Sequence, residues 1–187
     1  MKHIASLTLL ITLGSAAVSA YQRPVKMTFS GNGGASAANL QQPDTSTGEE
    51  NVAGKGTLGS FTFRNITAIA ASPAPSSTCA GPNQAYFPRV AGGGLFRFAD
   101  GSLLKVTLVQ GGDCIDFAAF EGHCTLTLQI TGGTGRFKDA SGTLTYTETA
   151  VPVVVDATNN PVLTTEVGEV TGMISRVSEE QSQEEGQ

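Results

Sequence analysis

The chain has 187 residues, 40% of them hydrophobic, with no Trp and a formal net charge of −5. That length suits one domain with a genuine core. Lys and Arg are scattered singly, so no basic stripe exists to displace counterions from a phosphate backbone, and nucleic acid is not expected as a partner.

In chain order, residues 1–20 come first. Lys2 precedes an apolar run from Ile4 to Val18, and Val18-Ser19-Ala20 supplies the small residues a signal peptidase reads. This predicts a signal peptide cleaved near Ala20 and a secreted or periplasmic protein. The run is short for a ~30 Å bilayer, which takes roughly 20 apolar residues, so no membrane insertion is expected after cleavage. Losing Lys2 moves the net charge from −5 to −6. The domain then covers 21–177, and the acidic stretch 178–187, which has no apolar residue, is expected to be a disordered tail.

Abundant Gly and Thr beside Val and Phe favour strands and tight turns, and no window holds a 3.6-residue apolar period. Two segments read as long loops that could form a mouth or lid. Residues 30–53 are rich in Gly, Ser and Asn, and residues 71–92 carry Pro73, Pro75, Pro82 and Pro88. Elsewhere side chains alternate. Phe61 and Phe63 share a face, as do Phe96 and Phe98 opposite Arg97. Leu104, Val106 and Leu108 alternate with Lys105 and Thr107; Leu126, Leu128 and Ile130 alternate with Thr125, Thr127 and Gln129. Leu144 and Tyr146 alternate with Thr143, Thr145 and Thr147. One apolar and one polar face per segment predicts antiparallel sheet, as a sandwich or barrel. Asp100-Gly101 predicts a type I′ hairpin turn, and Asn159-Asn160 before Pro161 a further reversal.

The three cysteines predict one disulfide in an exported protein. Cys114 and Cys124, enclosing "IDFAAFEGH", are the expected pair, with the two Cys79 pairings as alternatives. His123, Cys124, Cys114 and Asp113 match no standard metal spacing, so no metal is expected. His123 also lacks any nucleophile elbow to serve. Asp113, Asp116 and Glu121 read as solvated edge charges, as do Glu166 and Glu169, whose parity sends them to opposite faces. Asn65-Ile66-Thr67 fits a glycosylation sequon.

The stretch "QITGGTGRFKDASGTLTYTE", 129–148, fails as a phosphate cradle. From Gly133 the dinucleotide register lacks its third glycine, the following text is strand-like, and no Gly-Lys-Ser/Thr makes a Walker loop. It predicts a strand, a glycine turn and a return strand.

The segment "ITGGTGRFKDASGTLT" resembles the signature shared by allene oxide cyclases and dirigent proteins. Gly132, Gly133, Thr134, Gly135 and Phe137 match its first block, and Gly142 the glycine that opens the next strand. The text from "GLFRFADGSLL" onward resembles small exported bacterial proteins grouped with that barrel. The resemblance implies an all-β, eight-stranded antiparallel barrel with an apolar cavity, no metal or cofactor, and often a homo-oligomer. The catalytic residues of those families do not carry over, so catalytic positions stay unknown. The leading expectation is an exported barrel binding a small apolar or amphipathic molecule, with Phe96, Phe98, Leu104, Val106 and Tyr146 lining the core or cavity. A cofactor-free isomerase or cyclase is the alternative; Arg97 and Glu148 are its polar candidates, both expected to face solvent. A third reading is a structural or interaction protein of the cell envelope that works through its long loops.

Overall fold

The computed structural model describes residues 21–178, so the expected leader and the acidic tail beyond Ser178 lie outside the described residues. Eight strands follow in order: β1 (Gln22–Ala35), β2 (Thr45–Gly56), β3 (Gly59–Ala70), β4 (Gln84–Phe98), β5 (Leu103–Asp116), β6 (Glu121–Gly133), β7 (Ser141–Val155) and β8 (Pro161–Ser175). Each pairs antiparallel with the next, and β8 pairs with β1 to close the barrel. The chain therefore forms the eight-stranded all-β barrel that the resemblance implies, and the sandwich or barrel predicted from the alternation is a barrel. An interior of eight strands is just wide enough for side chains to fill.

Antiparallel connection gives the barrel two chemically different ends. The tight turns after β2, β4 and β6 lie at one, here called the closed end. Residues 36–44, 71–83, 117–120 and 156–160 connect strands at the other, the open end. Inside the closed half the filling is hydrocarbon: Met27, Phe63, Phe96, Leu104, Leu144 and Ile174 are almost wholly buried. Phe63 stacks on Phe96 with ring centroids 4.0 Å apart, and Phe29 on Tyr146 at 4.7 Å. Each such aromatic contributes about 1.5–3 kcal/mol by leaving water.

The glycine motif closes this end. β6 stops at Gly133, one 3-10 turn covers Gly135–Phe137, and fully buried Phe137 plugs the barrel. Gly135 sits at φ +57, and a Cβ on Gly133 would overlap the carbonyl oxygen of Leu103. Arg136 covers the plug, its guanidinium 4.5 Å from the Phe137 ring and 2.7 Å from Asp100. The Asp100-Gly101 hairpin forms, but not through a type I′ turn. Of that pair only Gly101 has positive φ; its N–H donates to the Phe98 carbonyl at 3.0 Å, while Asp100 accepts from the Ser102 N–H at 2.8 Å. One left-handed glycine suffices because the aspartate carboxylate satisfies the turn's other donor.

Both expected long loops shrink. Residues 30–53 contain the end of β1 and the start of β2, leaving 36–44 as the connection, and 71–92 contains the start of β4, leaving 71–83. Gly31, Gly33 and Glu50, which read as loop, are instead strand residues, and Gly33 and Glu50 are buried in a polar interior.

The expected Cys114–Cys124 disulfide is wrong: Cys79 is bonded to Cys114, and Cys124 is a buried free thiol. A β-bulge explains it. Leu108 pairs with Leu128 and Gln110 with Thr127, leaving Val109 over, so the parity of β5 reverses beyond that point. Asp113, the register partner of Cys124, then points inward, and Cys114 points outward to the 71–83 loop. Cys114 and Cys124 lie on opposite faces of one sheet.

Candidate functional site

The open half of the barrel is filled with charge. Strand β2 contributes Glu50, β4 Arg89, β5 Asp113, β7 Glu148 and β8 Glu166, all nine-tenths or more buried. Each arrives by strand geometry. Glu148 follows Leu144 and Tyr146 on one face of β7, and Glu166 shares a face with Val170 and Ile174 on β8. Arg89 is turned inward by a second bulge: Ala68 pairs with Ala91 and Ile69 with Arg89, so Val90 has no partner and is expelled to solvent at 52% exposure.

Arg89 is the hub. Its Nε donates to Asp113 Oδ2 at 3.0 Å and its Nη2 to Asp113 Oδ1 at 2.8 Å. Nη1 donates to Glu50 and, at 3.3 Å, to Thr67 Oγ1, and Nη2 also reaches Glu148 at 3.4 Å. Around this hub Asn65 Nδ2 donates to Glu50 at 3.0 Å, the Tyr146 hydroxyl to Glu148 at 2.7 Å and the Thr164 hydroxyl to Glu166 at 3.0 Å. Among the described residues two buried acceptors have no hydrogen-bond partner: Asn65 Oδ1 and Glu166 Oε2.

One guanidinium cannot neutralise four carboxylates, and two of them hold their protons more tightly than an exposed carboxyl does. Burial, reinforced by the charge of Glu50, pushes Glu148 well above the carboxylate range, with Arg89 opposing. The same two causes raise Glu166 to about 7 against the Thr164 hydrogen bond and Arg89. Burial likewise lifts the Tyr146 phenol and the Cys124 thiol. Two triads bring potential metal-ligand atoms within 4.8 Å of one another, Asp113–Cys124–Glu148 and Glu50–Glu148–Glu166. Arg89 already donates to members of both, so its guanidinium meets the charge a metal would otherwise supply.

Above the cluster lies a pocket of about 530 Å³. Its floor includes Glu50, Arg89, Asp113, Glu148 and Glu166, and its walls Ile69, Ile115 and Pro161. Gly33 makes the space: a Cβ there would overlap Glu166 Oε1. A larger concavity, about 980 Å³, runs across the outer face past Arg64, Leu95, Arg97 and Lys105. It is a shallow trough over the strands with no buried polar group turned into it.

The residues expected to line the core or cavity are core residues. Phe96, Phe98, Leu104, Val106 and Tyr146 pack against each other in the closed half, and none lines the open-end pocket. Tyr146 touches the site only through its hydroxyl. Arg97 is exposed on the outer face, but Glu148, expected in solvent, is inside. Asp113 and Glu166 are likewise buried rather than solvated, whereas Glu169 is exposed on the opposite face. His123 sits on the outer face of β6 against Glu121 and Thr149. Asn65 is buried inside the folded barrel, where a glycan has no room. Glu50 and Arg89 were not anticipated.

No family model matches the chain, and no curated protein sequence does. A solved structure it matches is that of the pterocarpan synthase dirigent protein GePTS1, at 13% identity over 91% of this chain and 97% of that one, with a TM-score of 0.37. At that identity and score the likeness carries no argument about function.

Proposed function

We propose that this is an exported barrel that binds a small amphipathic molecule at its open end. The observation that supports this reading is the pocket of about 530 Å³ with apolar walls and a floor of buried ionisable groups, a size and lining usual for small-molecule sites. The packed hydrocarbon of the closed half supports assigning that binding to the open end. Export is supported by the Cys79–Cys114 disulfide, a bond that persists in oxidising compartments. Native mass spectrometry of protein purified gently from its host tests the reading. A retained small molecule, lost in Gly33→Leu, is expected. Absence of any adduct across mild conditions overturns it.

A second reading, cofactor-free proton transfer on the bound molecule, is favoured by Glu166. A carboxyl titrating at about 7 beside the pocket both gives and accepts protons near neutrality. Deuterium uptake from heavy water at the α-carbon of added 2-indanone is the measurement. Uptake abolished by Glu166→Gln supports catalysis; uptake no faster than in buffer removes it.

A further inference from the structure

The polarity of the floor says more about the ligand than its size does. Arginine has five N–H donors, and Arg89 spends all of them inside the protein: one from Nε to Asp113, two from Nη1 to Glu50 and Thr67, and two from Nη2 to Asp113 and Glu148. No donor is left for an incoming carboxylate or phosphate. Among the described residues no other Lys, Arg or His lines the pocket, whereas Glu49, Glu50, Asp113, Glu148 and Glu166 all do. An anion entering would meet the carboxylates of that floor with no cationic donor to bond, only neutral groups such as the Ser46 and Thr47 hydroxyls. What the floor does offer is an acceptor: Glu166 is 4% exposed, and its Oε2 has no hydrogen-bond partner.

Resting on the small-molecule reading above, we propose that the ligand is an organic cation, a protonated amine on a compact apolar body. Its ammonium N–H donates to the Glu166 carboxylate, which turns to present the otherwise unpartnered Oε2, and its body lies against Ile69, Ile115 and Pro161. A charge-assisted bond of this kind inside a partly dry pocket is stronger than one between neutral groups. Gly33 belongs to the same site, because only a residue without Cβ leaves Glu166 its position.

The cation competes with a proton for Glu166. The groups facing that carboxyl are Glu50 from β2, Arg89 from β4, Asp113 from β5, Cys124 from β6, Tyr146 and Glu148 from β7, and Thr164 from its own strand. Burial and then the acids hold the Glu166 proton on, while Thr164 and Arg89 loosen it, so affinity for an amine rises as pH increases through about 7, while the amine itself stays protonated.

Isothermal titration of the full exported chain with benzylamine, benzyl alcohol and benzoate at pH 8 tests this. Benzylamine should bind at least about tenfold more tightly than benzyl alcohol, and benzoate should not bind. Glu166→Gln should bring benzylamine down to the level of the alcohol without changing the alcohol, while Glu169→Gln on the outer face should change neither. Loss of benzylamine affinity between pH 8 and pH 6, absent in Glu166→Gln, completes the expected pattern. If the alcohol binds as tightly as the amine, or Glu166→Gln keeps amine affinity, the cation proposal falls and the small-molecule pocket stands. If none of the three probes binds, the cation proposal falls as well, and the retained-adduct measurement decides the pocket separately.

Discussion

The two halves of this barrel use the same strands to opposite ends. Strand β7 shows it on one face: Leu144 is wholly buried in hydrocarbon, Tyr146 stands at the border, and Glu148 is buried among charges. Strand β8 repeats it with Ile174, Val170 and Glu166. In the closed half, burial itself stabilises. In the open half burial costs, and only the Arg89 network, protonation and hydrogen bonds offset it. The closed half is a scaffold, and the open half is the candidate site that the scaffold holds together.

The largest expected effects separate the halves by whether a second change can repair the first. Arg89→Met leaves Glu50 and Asp113 unpaired and should cost about 3–5 kcal/mol in denaturant unfolding. Adding Glu50→Gln and Asp113→Asn should recover much of that. Phe96→Ala should cost a similar ~3–5 kcal/mol through a cavity that no change of charge restores. If the triple variant is no more stable than Arg89→Met alone, the electrostatic account of the open half is wrong.

Next comes the disulfide. Cys79–Cys114 closes a sequence separation of 35 residues, and the chain-entropy model gives about 4 kcal/mol for such a loop. Cys79→Ser should therefore lower the unfolding midpoint strongly. Cys124→Ala, which breaks no bridge, should lower it far less.

Stability should also depend on pH in a direction that only the open half produces. The folded pKa of Glu166, about 7, lies above its ordinary value of 4.5, so the folded state holds the proton more tightly than the unfolded one. Its contribution is fully present below pH 4.5 and is lost as pH rises through about 7, and Glu148 acts in the same sense. Thermal melts should shift downward across that window. Glu166→Gln should flatten the profile, and Phe96→Leu should leave its slope intact; a wild-type midpoint that climbs from pH 5 to pH 7.5 contradicts the assignment.

The smallest change is a single methyl. Gly33→Ala should cost about 1–3 kcal/mol, as overpacking does, by pushing the Glu166 carboxylate aside. A structure with Glu166 unmoved and stability unchanged would break the link between that glycine and the site.

The closed half was legible in the sequence, and the open half mostly was not, for one physical reason. Alternation of apolar and polar residues marks strands only where the interior is apolar. Phe61, Phe96, Leu104 and Leu128 announced their strands, whereas Gly31, Gly33 and Glu50 read as loop because the interior they face is charged or crowded. Glu148 and Glu166 were findable by parity with Leu144 and Val170, but a carboxylate on a core face is discounted by habit. Arg89 and Asp113 were hidden more deeply. Simple alternation from Phe96 or Leu104 puts both outside, and only the bulges at Val90 and Val109 turn them in. The same reversal misled the cysteine pairing.

Cys124 leaves the molecule with a clock of its own. It is the one unbridged cysteine, it lines the open-end pocket, and its thiol is both buried and reluctant to ionise. With Cys124 3% exposed, labelling by a thiol reagent is expected to follow the breathing of that end of the barrel. The labelling rate of the unmodified chain thus reports how often the charged half opens, with no engineered probe, and slower labelling under an added compound shows that the compound sits there.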